Sequence, residues 1–184
     1  MCIATSPFSS ASVHGAVELA FAADGDKTRL SELYQRTPLR VLFPKVYGGS
    51  MPTAVLVTTS GGLVGGDSMD VSVIASAGSS ALVTAQAAEK VYRSTGEDCR
   101  IHMRLKVEGD GWLEWLPQET ILFEGARLRR ITELDIGPGG RAMAGEILVF
   151  GRTASGEALT RGLVRDVWTV RRCGRLAWAD AFHL

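Results

Sequence analysis

Several acidic and basic side chains stand where their neighbours invite chemistry. In TTSGGLVGGDSMDV, residues 58–71, glycines at 61, 62, 65 and 66 lead into Asp67. A Walker loop needs lysine after its last glycine, because that ammonium must reach the phosphates. Here Asp67 takes the lysine's place, and a carboxylate repels phosphate. The dinucleotide fingerprint fails too, since a strand-like run rather than a helix follows. Two readings remain. The paired glycines supply positive φ where two strands join while Asp67 closes an Asx-type turn, or bare backbone makes room for Asp67 to face a passage in which a cation pauses. Glu114 and Glu119 in LEWLPQETILF offer a hydrolase its two carboxylates, although extended chain around Pro117 separates them. Lys90, Tyr92 and Arg93 in EKVYRS suit an anion or the tying down of a turn by ion pairs. No Gly-x-Ser-x-Gly elbow is present, and neither Ser60 nor Cys99 has a sequence neighbour that would activate it.

Positioning such groups requires a core. The 184 residues are 46% hydrophobic, enough for one domain spanning 1–184. Twenty basic side chains balance twenty acidic ones, so no net field favours nucleic acid or an anionic membrane. Cys2, Cys99 and Cys173 are odd in number and far apart, against a disulfide framework or a closed zinc site. His14, His102 and His183 show no metal-binding spacing. The opening MCIATSPFSSASVHG lacks a basic leader and a long apolar run, and nothing later approaches a membrane span, so a cytoplasmic protein is expected.

The elements that carry these residues read as strands. In RIHMRLKV, Ile101, Met103, Leu105 and Val107 share one side while Arg100, His102, Arg104 and Lys106 share the other. AVELAFA, LRVLF, AVLVTT, VSVIAS, ALVTA, ETILF and VWTVRR repeat the two-fold pattern between turn clusters such as ADGD, SAGSS, EGDG and GPGG, which predicts a mainly β architecture. KTRLSELYQ and RAMAGEILVFG are the candidates for one or two short helices. In ARLRRITELDI the alternation slips near Arg130 and Ile131, which predicts a bulge or bend. The four tryptophans, Trp112, Trp115, Trp168 and Trp178, suit core or interface anchors. No fixed-period repeat is evident, and the chain stops on the strand-like WADAFHL, as a truncated domain would.

Four separated motifs together resemble one family. GGLVGGD at 61–67, TAQAAEKVYRS at 84–94, LEWLPQETILFEGA at 113–126 and EILVFGRTASGE at 146–157 are similar, in order and interval, to the urease accessory proteins called UreD or UreH. The resemblance implies a non-enzymatic scaffold of stacked sheets in a β-helix-like arrangement. It implies binding of UreF, through it the GTPase UreG, and apo-urease, with no tightly bound cofactor and with Ni2+ in transit through an internal tunnel. Carried over by position, the tunnel carboxylates are Asp67, Glu146 and Asp180, with Glu119 weaker. Sparse carboxylates along a wet path ease the dehydration of nickel without stalling it. Family members often carry two prolines where this chain has Thr59 and Ser60, and Trp where it has Gly145, which implies a void or a looser helix beside Glu146. They also continue beyond the HL ending, so part of the core is expected to lie uncovered. Outside the resemblance stand two alternatives: a hydrolase or anion-binding enzyme using Glu114 and Glu119 or Lys90 and Arg93, and a module that self-associates through strand edges.

Overall fold

The computed structural model describes residues 12–45 and 51–184. Cys2 and most of the opening segment lie outside them. After two antiparallel strands, β1 (His14–Asp24) and β2 (Lys27–Arg36), and a short hairpin of β3 (Leu39–Leu42) with β4 (Thr53–Thr58), the chain winds into coils. The first coil is β5 (Ser68–Ala75), β6 (Ser80–Ala85) and β7 (Glu89–Val91); the second is β8 (Cys99–Val107), β9 (Trp112–Leu116) and β10 (Thr120–Leu122). The third is β11 (Arg127–Ile136), β12 (Arg141–Ala144) and β13 (Leu148–Phe150), followed by β14 (Leu163–Arg172) and β15 (Arg175–His183).

Successive coils stack in parallel. Strands β5, β8, β11 and β14 become neighbours in a seven-stranded sheet of order β15-β14-β11-β8-β5-β1-β2. The second strands join the five-stranded sheet β12-β9-β6-β4-β3, and the third strands form β13-β10-β7. This is a β-solenoid-like stack with three walls around one interior. Short turns such as EGDG and GPGG produce it, because each glycine-bearing corner redirects the chain before a helix can start. Gly78, Gly109 and Gly139, at the corners between the first and second walls, all have positive φ.

In-register parallel pairing turns each inward position into a ladder. Val73, Leu105, Leu134 and Val170 stack across four strands and face the core. A second ladder changes character: Met69 lies beside Ile101, Ile101 beside Arg130, Arg130 beside Asp166, and Asp166 beside Phe182. Apolar burial gives way to an ion pair in the third coil.

Three expectations are corrected. KTRLSELYQ falls in β2 and RAMAGEILVFG is divided between β12 and β13, so neither is helical; the regular helix among the described residues is a single 3-10 turn at Thr153–Ser155. Edge pairing with β1 and β9 claims those segments as strands, overriding their local propensity. No bulge occurs at Arg130 and Ile131: β11 keeps unbroken register with both β8 and β14. The alternation does not slip there. Leu128, Arg130, Thr132 and Leu134 all point inward, and Ile131 is the exposed one. The register shifts lie instead at Ala20/Phe21 and Val170/Arg171.

At the β15 end the inward face is open. Trp178, Phe182 and Leu184 remain 50%, 42% and 58% exposed, and Asp180 pairs with Trp168 in the same face. No helix of the described residues is long and apolar enough to cross a membrane.

Candidate functional site

The interior of the stack is not uniformly filled. One cavity of about 180 Å³ is lined by Thr58, Gly61, Gly62, Glu89, Lys90 and Trp115, among others, at the level of the first two coils. A second of about 550 Å³ is lined by Leu134, Gly145, Asp166, Trp168, Trp178 and Asp180 toward the open end. Arg130 and Glu146 line both.

These two side chains form a buried cluster with Asp166. Side-chain exposures are 3% for Arg130, 4% for Glu146 and 9% for Asp166. Arg130 Nε donates to Asp166 Oδ1 at 3.0 Å, and Nη2 to Oδ2 at 2.6 Å, a two-point fork that fixes the guanidinium plane. Nη1 donates to Thr120 Oγ1 at 3.3 Å. Glu146 takes a bond from Trp115 Nε1 on Oε1 at 3.2 Å, while its Oε2 lies 2.6 Å from Arg130 Nη2. That second oxygen is held by the charge of Arg130 and meets no donor in well-directed hydrogen-bond geometry. One cation thus faces two carboxylates.

The electrostatics follow. Burial raises the Glu146 pKa above the usual carboxylate range, and the charge of Asp166 adds to this; Arg130 and the Trp115 bond offset only part of it. Burial opposes the charge of Arg130, but its bonds to Asp166 and the charges of both carboxylates outweigh it, and its pKa lies above the ordinary value. In the first cavity, burial likewise raises Glu89 despite bonds from Thr58 Oγ1 and the Lys90 N–H. The buried Cys99 thiol is pushed up to about 12 by burial and by the charges of Asp67 and Glu89, so it stays an inert thiol at neutral pH.

The glycine loop is stapled to this interior from one side. Leu63 N–H donates to the Lys90 carbonyl at 2.7 Å and Tyr92 N–H to the Leu63 carbonyl at 2.8 Å, so Leu63 continues the β7 wall. Gly61 and Gly62 have φ of 77° and 141°, and a Cβ on Gly62 would stand 2.9 Å from the Lys90 carbonyl oxygen. Asp67 is 4% exposed; its Oδ2 accepts the Val64 N–H and its Oδ1 the Val13 N–H, both at 2.9 Å. It therefore holds the loop closed, and its side chain lines neither cavity.

The other sequence-derived positions disperse. Glu146 and Asp180 both line the larger cavity. Glu114 accepts from Trp112 Nε1 at 3.0 Å, and the Glu119 carbonyl accepts from the Glu89 N–H; neither residue lines either cavity. Lys90 faces the smaller cavity, whereas Arg93 belongs to a surface hollow with Ser94, Glu124 and Arg161. Among the described residues no three His, Cys, Asp or Glu side chains converge to hold a metal ion. Gly145 walls the larger cavity, and a Cβ built there meets nothing within 4 Å, as expected of a void beside Glu146. Sequence reasoning missed Arg130, Asp166 and Glu89. Arg130 was signalled by an unbroken two-fold alternation that places an arginine at a core position.

The family model described as UreD urease accessory protein matches residues 13–184. The urease accessory protein UreD of Magnetococcus marinus is 50% identical over 184 residues, covering 98% of this chain and 64% of the relative. UreD 2 of Methylorubrum populi is 47% identical over 163 residues, with 89% and 54% covered. UreD of Chelativorans sp. is 41% identical over 179 residues, with 97% and 64% covered. The chain thus spans a little over half to about two thirds of the length of these relatives. With its motifs, its stacked sheets and this extent of identity, the chain belongs to the UreD urease accessory protein family.

Proposed function

We propose that this protein acts in urease maturation as a scaffold without catalysis of its own, conducting Ni2+ through the solenoid interior toward apo-urease. UreF, and through it UreG, stand on the supplying side, where nucleotide hydrolysis belongs to the partner. The observation that carries the reading is the pair of hollows along the inward face, a smaller one within the stack and a larger one open toward β15, with Arg130 and Glu146 lining both. Glu89 lies in the smaller cavity, Glu146 between the two, and Asp166 and Asp180 in the larger. Such an acidic series offers oxygen ligands one or two at a time, too few to trap a divalent ion and enough to compensate its lost water. Asp67 enters through the loop it holds: it keeps Gly61 and Gly62 at the wall of the smaller cavity. Glu119 supports Glu89 through its carbonyl.

The test is urease activation in a reconstituted mixture of this protein, UreF, UreG, apo-urease and nickel. Glu146→Gln and Asp180→Asn should leave co-elution with UreF intact and lower the nickel content of urease, Glu146→Gln by tenfold or more. Equal nickel loading by the double variant would reject conduction along this path.

A further inference from the structure

We propose that Arg130 gates the interior: its guanidinium holds the place of a divalent cation between Glu146 and Asp166, and the cargo ion crosses by taking that place. The inference rests on the conduction reading above and adds to it the residue that controls passage. Arg130 and Glu146 line both cavities and so stand at the boundary between them.

The cluster is asymmetric in the way a gate requires. Asp166 holds the guanidinium by two directed bonds, at 3.0 and 2.6 Å, and acts as the anchor. Glu146 touches the same Nη2 at 2.6 Å but receives no well-directed hydrogen bond on Oε2, although its side chain is 4% exposed. That oxygen is a buried acceptor held by the charge of Arg130 rather than by a directed bond, on a side chain that lines both cavities. An incoming ion can ligate it without first breaking a directed bond. The stem of Arg130 is fixed in β11 between Ile101 and Asp166, so a displaced guanidinium stays tethered and returns when the ion leaves.

Charge makes the gate selective. A monovalent ion brings no more charge than the guanidinium and lacks its tether, which keeps Arg130 at high local concentration. A divalent ion interacts about twice as strongly with the same two carboxylates. Two protein oxygens leave it mostly hydrated, as rapid release demands. Passage is thus open to a divalent cargo and closed to sodium and potassium.

Equilibrium dialysis of the intact protein against nickel chloride in a sodium chloride background tests this. Arg130→Met removes the tethered cation and keeps the stem; it should bind one nickel ion per chain at least tenfold more tightly than the unaltered protein. The double variant Arg130→Met with Glu146→Gln should lose that gain. Binding by Arg130→Met no tighter than the unaltered protein, or a gain that survives Glu146→Gln, overturns the gate. If Arg130→Met does not fold, Arg130→Lys serves, because one ammonium cannot reproduce the fork to Asp166; a gain of about threefold is expected, and none overturns the proposal. The two readings fail separately. A gained nickel site with urease activation indifferent to Glu146 keeps the gate as a cation site and removes conduction; activation that needs Glu146, with no gained site, removes the gate alone.

Discussion

Strand β11 carries two charge clusters of opposite build. On its outer face Arg127 and Arg129 both bind Asp98: Arg127 Nε donates to Oδ1 at 2.7 Å and Arg129 Nε to Oδ2. On its inner face Arg130 meets Glu146 and Asp166. The outer cluster has two cations around one carboxylate, and its arginines are 34% and 40% exposed. The inner cluster has two carboxylates around one cation, all within a tenth of full burial. Water can make up any imbalance outside. Inside, side chains that are 3–9% exposed leave water far less able to do so, and that difference separates a structural clasp from a site able to take an ion.

Removing the central charge of each cluster breaks the comparison most directly. Arg130→Met leaves two carboxylates buried without a counter-ion, a change expected to lower stability by about 3–5 kcal/mol. Asp98→Asn leaves two arginines that water already reaches, with an expected loss of about 1–2 kcal/mol. Urea denaturation at pH 7 measures both. Equal losses would mean that burial does not distinguish the two clusters.

Acid titration separates them by sign. Asp98 is held below the usual carboxylate range: burial opposes this, but the bonds from Arg129 and Arg127 win. Its contribution to stability is complete above the ordinary aspartate pKa and is lost as pH falls through the lower folded value. Glu146 is raised by burial, so the folded state holds its proton where the unfolded state releases it. The folded protein therefore loses stability as pH climbs from the ordinary glutamate pKa through the raised value. The groups facing Glu146 are Arg130, Asp166 and Trp115. Stability curves from pH 3 to 8 should show the gap between the unaltered protein and Asp98→Asn widening upward from the acid end. Glu146→Gln should flatten the decline at higher pH. Parallel curves for the two variants would contradict the assignment.

What could be read beforehand divides along the same line. RIHMRLKV announced a strand because its apolar residues alternate with basic ones, and β8 follows that reading. The same rule misled at ARLRRITELDI. Arg130 occupies an inward position, and a reading that equates inward with apolar sees a broken phase where the backbone is regular. Asp166 was hidden for the same reason, since its partner is 36 residues away. The coil repeat was illegible because the coils differ in length: Ser68 pairs with Arg100, Cys99 with Leu128 and Leu128 with Val164. Edge strands β2 and β12 resembled helices because half or more of their residues face solvent and need no strict alternation. Glu146 and Asp180 came from motif resemblance, and no local spacing could have placed them at one cavity.

The smallest effect is expected at the rim of the inner cluster. Gly145 lies next to Glu146 and carries no positive φ, and a methyl group added there meets nothing within 4 Å. Gly140, on the same turn-and-strand segment, is the contrast: its added Cβ would stand 2.9 Å from the Gly109 carbonyl oxygen. Gly145→Ala restricts the unfolded chain without strain in the folded one, so it should be neutral or stabilising by about 0.4–1 kcal/mol. Gly140→Ala should destabilise, because backbone cannot retreat as a side chain can. Thermal unfolding of the two variants reads the difference. A loss of stability in Gly145→Ala would mean that the larger cavity is closed against its own wall, and that the space between Glu146 and Asp180 is not open to an ion.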